Sequence, residues 1–192
     1  MNSQEIINNA EKKLLENGAF ANVERIAFEN QKKVMAAFRE YKVSDSYFAG
    51  TTGYGYDDKG RDMLDKIYAR VFEAEDAFVR HTLVSGTQTL AVGLYGLLRP
   101  GDTMLSVTGK PYDTLEEVIG IRGDSGKGSL KEFGVSYKQV ELAEDGTIDL
   151  DALGKAISQK TRMVCLQRST GYAWRKALTI DEIKKAVTFC HI

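Results

Sequence analysis

Arg162-Met163-Val164-Cys165-Leu166-Gln167 is a short, strongly apolar run, and its pattern predicts a strand that is buried on both faces. Similar runs predict further strands, and helical patterns lie between the runs. A final helix is predicted to start at Thr179, because Glu182 completes a capping box. Alternating strands and helices of this kind predict an α/β fold with a mostly parallel sheet and crossover helices. The other predicted strands are 77–81, 103–107 and 135–142, and the other helices are 87–98, 112–119 and 150–157.

The first sixty residues have a different pattern. Apolar residues keep helical spacing over 6–15 and again over 23–41, which predicts two helices. A loop rich in glycine and tyrosine follows at 48–60, and its glycines permit backbone shapes that other residues resist. We therefore predict an N-terminal helical arm with this loop at residues 1–60. Residues 61–192 are predicted to form the first part of the α/β domain, and they begin with a helix.

Composition narrows the class of protein. Hydrophobic residues make up 43% and charged residues 28% of the chain, which is ordinary for a soluble globular protein. The net charge of −1 lacks the basic footprint of a nucleic-acid or anionic-membrane partner. No apolar run is long enough to span a bilayer, and the N-terminus does not resemble a secretory signal. The two cysteines and two histidines have no metal or disulfide spacing, so we predict no metal site and a cytoplasmic location.

One turn between a predicted strand and a predicted helix has the chemistry of an anion site. It is Leu83-Val84-Ser85-Gly86-Thr87-Gln88-Thr89. A helix N-terminus offers free backbone N–H groups and the positive end of the helix dipole, glycine permits close approach, and hydroxyls add donors. The alternative is an ordinary turn in which Ser85 is only the helix N-cap, and the turn taken alone favours that alternative.

Two further turns follow predicted strands, where ligands of parallel sheets bind. Tyr112, in Lys110-Pro111-Tyr112-Asp113-Thr114, has the chemistry to stack on a planar ring and to move protons. Arg168 and Ser169 follow the apolar strand. The alternatives are a packing role for Tyr112 and a surface ion pair for Arg168. The aromatic loop 53–56 suits a binding loop or a subunit contact, and its alternative is a plain connector.

The glycine-rich segment 120–129 suggests a nucleotide loop, but it fails the motif. Ile121 stands where a Walker A sequence needs glycine, and Gly128 stands where it needs Ser or Thr. We therefore interpret 123–129 as a surface excursion or a lid over the cleft.

Four sequence blocks gain meaning when they are taken together and in order. They are Thr52-Gly53-Tyr54-Gly55-Tyr56-Asp57-Asp58 with Gly60-Arg61-Asp62, then Ser85-Gly86-Thr87-Gln88, then Pro111-Tyr112-Asp113-Thr114-Leu115-Glu116-Glu117, then Gln167-Arg168-Ser169 with Gly171-Tyr172 and Trp174-Arg175. With these blocks the chain resembles fold-type-I pyridoxal-phosphate enzymes. The branch is that of the aluminium-resistance or methionine gamma-lyase-like proteins, which are related to cystathionine lyases. The likeness covers nearly the whole chain and corresponds to the N-terminal portion of such an enzyme.

The resemblance implies a set of site residues for pyridoxal 5'-phosphate. The phosphate falls on the turn Ser85, Gly86, Thr87 and Gln88, and the aromatic that stacks on the pyridine ring falls on Tyr112. A tyrosine from a neighbouring subunit, Tyr54 or Tyr56, is implied to reach the phosphate. The loop at Ser169–Tyr172 lies where relatives contact the ring hydroxyl of the cofactor, and Arg168 and Ser169 are implied to bind the cofactor.

The resemblance also implies two groups that we do not find among these residues. The chemistry needs a lysine that forms a Schiff base with the cofactor and an acidic residue at the pyridinium nitrogen. We expect both beyond Ile192, since Lys176, Lys184 and Lys185 flank or lie in the last predicted helix. A product of 192 residues is then expected to be an incomplete domain that is inactive alone.

The implied activity is that of a carbon–sulfur lyase acting on a sulfur-containing amino acid, in a homodimer or homotetramer. The loop 53–56 and the N-terminal helices are the candidate interface. Two alternatives stay open. One is an aminotransferase of the same fold, since a fold does not fix the chemistry. The other is a non-catalytic module that binds the cofactor or mediates dimerisation.

Overall fold

A computed structural model describes residues 2–54, 56 and 58–191. The chain packs as two compact units, Met1–Thr82 and Leu83–Ile192. Gly55 and Asp57, which belong to the predicted aromatic loop, lie outside the described residues. The functional boundary that we placed at residue 60 stays a prediction.

The first unit is helical, as the apolar spacing predicted. Its helices are α1 (Ser3–Glu16), α2 (Ala21–Glu40), a short 3-10 helix (Asp45–Phe48) and α3 (Lys59–Phe72). The predicted stop after α1 is confirmed, because Gly18 lies just past the helix end at φ 62°, a conformation that favours glycine. α1 also begins with a capping box between Asn2 and Glu5.

The strand predicted at 77–81 is wrong. Ala77–Arg80 forms no ladder with any strand in the described part of the chain. Its polar groups bond to helix α3 instead, since the backbone N–H of Val79 donates to the Asp65 carboxylate at 2.7 Å. The Arg80 guanidinium pairs with the same carboxylate at 2.8 Å. A side-chain acceptor thus takes the place that a neighbouring strand would fill, which an apolar pattern cannot reveal.

The second unit confirms the α/β prediction. Its elements are α4 (Gly86–Leu97), β1 (Thr103–Ser106), α5 (Asp113–Ile119), β2 (Ser136–Gln139), α6 (Leu150–Ala156), β3 (Thr161–Cys165) and α7 (Ile180–Cys190). The three strands lie in the order β2-β1-β3, and both pairings are parallel. The predicted capping box of α7, between Thr179 and Glu182, is present.

The core of this unit has one layer on each face of the sheet. Side chains of a strand alternate between faces, and the central strand β1 is wholly buried. Met104 packs with residues of α4 and α5 such as Leu94 and Ile119. Leu105 packs on the other side with Leu153 of α6 and Ala186 of α7. The helices therefore cover both faces of β1.

Both faces of the apolar strand pack against the core, with Met163 and Cys165 on one side and Val164 on the other, but the predicted full burial is wrong. β3 is only half-buried, and Arg162 is exposed. The reason is position, because β3 pairs with β1 on one side and lies at the edge of this sheet within the described residues. β2, which we predicted at 135–142, is shorter than its apolar pattern.

In the part of the chain that the structure describes, none of the helices combines the length and the apolar character needed to cross a bilayer. Over the same residues, no cluster of three or more histidine, cysteine or acidic side chains could hold a metal ion.

Candidate functional site

The predicted anion turn lies at the start of α4. Ser85 is the N-cap, and its hydroxyl accepts the backbone N–H of Gln88 at 3.1 Å. The Gln88 side-chain oxygen accepts the backbone N–H of Val84 at 2.9 Å. Among the described residues, the backbone N–H groups of Gly86 and Thr87 have no protein acceptor. A Cβ built on Gly86 would meet nothing within 4 Å, so an anion has room to reach these donors.

A second turn lies next to the first. The hydroxyls of Thr87 and Thr114 are 2.7 Å apart, which joins the first turn of α4 to the first turn of α5. Tyr112 is the N-cap residue of α5 rather than its first helical residue. Tyr112 is 39% exposed, and the contact between Thr87 and Thr114 brings its turn next to the α4 N-terminus.

Gln167 joins the third predicted turn to the second. Its side-chain oxygen accepts the backbone N–H of Tyr112 at 2.9 Å. Its backbone N–H donates to the hydroxyl of Thr108 at 3.1 Å. The segments that follow β1 and β3 are therefore bonded to each other where ligands of parallel sheets bind. Gln167 was part of a quoted block but was not assigned a role.

Tyr112 is paired with Tyr172. The ring centroids are 5.8 Å apart and the ring planes make an angle of 25°. The Tyr112 hydroxyl donates to the Tyr172 hydroxyl at 3.2 Å. This hydrogen bond is the main cause that raises the pKa of Tyr112 above that of a free phenol, and the nearby Asp113 acts in the same direction.

Arg168 and Ser169 both make hydrogen bonds within the protein. Arg168 donates from Nε to the Leu178 carbonyl at 3.0 Å. The Ser169 carbonyl accepts Nη2 of Arg175 at 2.8 Å, and the same nitrogen donates to the Gln167 carbonyl at 3.1 Å. Arg175 belongs to the fourth sequence block, but no role was predicted for it, because bonds from a side chain to distant carbonyls leave no periodic pattern. The proposed ligand roles of Arg168 and Ser169 stay predictions.

Tyr54 and Tyr56 belong to the first unit. Their side chains are 83% and 85% exposed. Such exposure leaves both rings available to a partner, and their role at a phosphate stays a prediction.

The assembled turns fit two parts of pyridoxal phosphate. The N–H groups of Gly86 and Thr87, with the hydroxyls of Ser85 and Thr87, are donors suited to its phosphate. The half-exposed Tyr112 ring is suited to stack on its pyridine ring.

Comparison with known proteins supports the resemblance. The family model for methionine gamma-lyase matches residues 3–191. The chain belongs to the methionine gamma-lyase family. A relative from Bacillus subtilis strain 168, the uncharacterized protein YnbB, is 49% identical over 172 residues, which are 90% of this chain and 41% of YnbB.

Solved structures of similar proteins have the same fold as this chain. A Listeria innocua protein superposes with a TM-score of 0.90 at 48% identity, over 99% of this chain and 46% of its own. Its name assigns it provisionally to cystathionine beta-lyases involved in aluminium resistance. A Clostridium novyi NT protein, named a carbon–sulfur lyase involved in aluminium resistance, superposes with a TM-score of 0.90 at 45% identity, over 98% of this chain and 45% of its own. This chain therefore spans less than half the length of these relatives.

Proposed function

We propose that this chain is part of a pyridoxal-phosphate-dependent carbon–sulfur lyase that acts on a sulfur-containing amino acid. The observation that carries the proposal is the hydroxyl contact of 2.7 Å between Thr87 and Thr114. It joins an open helix N-terminus to the turn that presents Tyr112. The hydrogen-bond donors at the α4 N-terminus suit the phosphate of the cofactor, and the neighbouring aromatic ring suits its pyridine ring. The lyase names of the similar proteins support the reaction class.

Each residue of the turns has a role in this proposal. The N–H groups of Gly86 and Thr87 bind the phosphate, and the dipole of α4 favours its negative charge. Tyr112 orients the ring by stacking. When bound, pyridoxal phosphate supplies an electron sink for carbanion chemistry at the substrate α-carbon. The Tyr112 hydroxyl carries its proton at Oη at neutral pH, as an ordinary phenol does, so it is suited to donate a proton to a leaving sulfur.

We also propose that the protein assembles as a homodimer or homotetramer in the cytoplasm, with no nucleic-acid or membrane partner. In this assembly, a second copy of the chain covers the exposed apolar faces of the first unit. Large apolar side chains are exposed along α1 and α2, among them Ile7, Leu15, Val23 and Phe28, and exposed apolar clusters mark association surfaces. Sedimentation velocity of the purified protein tests this, and a monomer at micromolar concentration contradicts it.

The lyase proposal is tested on the protein expressed from its complete coding sequence. With added pyridoxal phosphate we expect a near-visible absorbance band that borohydride removes. With cystathionine or methionine we expect a keto acid together with a free thiol, whereas an aminotransferase transfers the amino group to an added keto acid and releases no thiol. A protein that never acquires the absorbance band contradicts the proposal, and so does amino-group transfer without thiol release.

A further inference from the structure

The turn that carries Tyr172 is held firmly at its base. Arg168 bonds to the Leu178 carbonyl, and Arg175 bonds to the carbonyls of Gln167 and Ser169. These bonds close the ends of the loop on each other. The tip between them is exposed, since Tyr172 is 84% exposed and Trp174 is fully exposed.

The tip is a tight turn with a glycine at its hinge. The backbone N–H of Ala173 bonds to the Thr170 carbonyl at 3.0 Å, and Gly171 between them has φ 57°. A positive φ at this position favours glycine. A Cβ on Gly171 would lie 3.4 Å from Cδ2 of Tyr112, an ordinary van der Waals contact, so the tip lies against the Tyr112 ring and glycine is favoured by its φ rather than by lack of space.

The rings of Tyr112 and Tyr172 stack on each other. Their planes are 25° from parallel with centroids 5.8 Å apart. Stacked carbons contact at about 3.5 Å, so two rings that enclose a third need about 7 Å between them. The two tyrosine rings already stack on each other, so the tip must move outward by the thickness of one ring, roughly 3.5 Å, before a flat ring can enter between them.

We propose that Tyr172 is a second ring-binding residue, and that Tyr112 and Tyr172 hold the flat ring of the ligand between them. The proposal rests on the proposed function, which supplies the ring. The fixed base of the loop keeps Tyr172 aligned with Tyr112, while the Gly171 hinge lets its ring move outward. The hydroxyl bond between the two tyrosines holds the pair closed until a ring enters.

The experiment uses the complete protein without cofactor and two probes, 4'-deoxypyridoxine 5'-phosphate and inorganic phosphate. The first has the ring and the phosphate but no aldehyde, so its affinity reports stacking and phosphate binding without a covalent bond. Trp174 lies two residues from Tyr172 and is the one tryptophan of this chain. Quenching of its fluorescence reports binding, and a Trp174→Phe variant supplies the background.

We expect Tyr172→Ala to weaken binding of the ring probe about two- to tenfold, the range of one aromatic pair. Tyr172→Phe keeps the ring and is expected to bind within about twofold of the native protein. Neither change is expected to alter the affinity for inorganic phosphate. Because Tyr172 is exposed, both variants are expected to fold.

Other outcomes overturn the inference. If Tyr172→Ala binds the ring probe as well as the native protein does, or more tightly, Tyr172 does not hold the ring. If Ala weakens the ring probe and phosphate equally, the tyrosine supports the loop and not the ring. If the native protein binds neither the ring probe nor pyridoxal phosphate, the proposed function itself has failed, and this result is separate from the behaviour of the Tyr172 variants.

Discussion

The side-chain oxygen of Gln167 accepts the backbone N–H of Tyr112 at 2.9 Å, although 55 residues separate them in the chain. This bond joins the segment after β3 to the N-cap of α5. It fixes the backbone of the residue that presents the proposed stacking ring. The position of Tyr112 therefore depends on a residue outside its own turn.

Replacing Gln167 with alanine tests this dependence. The variant loses the acceptor for the Tyr112 N–H, and we expect a free energy of unfolding about 1 kcal/mol lower. Hydrogen exchange at the Tyr112 amide is expected to become faster, and exchange measured on a peptide covering 110–115 shows it. Gln167→Glu keeps an acceptor oxygen and is the matched control. Equal protection in the alanine variant and the native protein would show that the bond does not hold Tyr112.

Two changes at Ser85 separate a helix cap from a phosphate site. Aspartate is as good an N-cap as serine, so Ser85→Asp is expected to keep the thermal stability, but its charge repels a phosphate. Ser85→Ala loses the bond to the Gln88 N–H and is expected to cost about 1 kcal/mol. The alanine variant keeps the backbone donors and is expected to bind phosphate more tightly than the aspartate variant does. Calorimetric titration with inorganic phosphate and thermal melting measure the two effects. Native phosphate affinity in Ser85→Asp would leave the turn as a helix cap only.

Local signals predicted much of the second unit. Helices α4, α5, α6 and α7 lie within a residue or two of their predicted positions, because apolar spacing and caps are local properties. Parallel pairing followed from the alternation of strands and helices. The N-cap role of Ser85 was visible as an alternative, since capping depends on residues three apart.

Features that depend on distant partners could not be predicted in this way. β3 has a strand's pattern, but its half-exposed state follows from its place at the sheet edge. Residues 77–81 have the pattern of a strand, yet they bond to Asp65. The stack of Tyr112 on Tyr172 joins residues sixty positions apart, and no periodicity records such a contact.

The pair of Asp65 and Arg80 gives a prediction about stability and pH. Burial alone would raise the pKa of Asp65, but hydrogen bonds from the Val79 N–H and from Arg80 outweigh it and lower that pKa. A carboxyl group with a lowered pKa stabilises the fold above its ordinary pKa, near 3.8, and this stability is lost as the pH falls through the folded-state value. We expect Asp65→Asn to lower the free energy of unfolding by about 1–2 kcal/mol at pH 7.

Urea unfolding at pH 7 and at about pH 3 measures this effect. The difference between the native protein and Asp65→Asn is expected to shrink at the lower pH, where Asp65 begins to take up a proton. Asp62→Asn on the same helix is the control, because Asp62 is 62% exposed and such a change costs less than about 0.5 kcal/mol. A difference that is constant with pH would mean that the Asp65 charge does not act through this pair.

In the segment 123–129, which we interpreted as a surface excursion or lid, several backbone N–H groups converge on one carboxylate. Glu132 accepts the backbone N–H groups of Gly126, of Gly128 at 2.6 Å and of Ser129 at 3.0 Å. These bonds, chiefly the one from Gly126, lower the pKa of Glu132. Gly126 and Gly128 both have positive φ, so their N–H groups converge on an anion, as in backbone nests. The Glu132 carboxylate is therefore the anion that binds these converging N–H groups.

Removing that anion is expected to loosen the loop. In Glu132→Ala the converging N–H groups lose their acceptor, and we expect trypsin to cut after Lys127 several times faster than in the native protein, because cleavage needs a locally opened backbone. Mass spectrometry of the early fragments locates and times the cut. Glu144→Ala, which removes an exposed carboxylate elsewhere in the same unit, controls for the change in charge and is expected to leave the rate unchanged. If Glu132→Ala and Glu144→Ala are cut after Lys127 at the same rate, the Glu132 carboxylate does not order this segment.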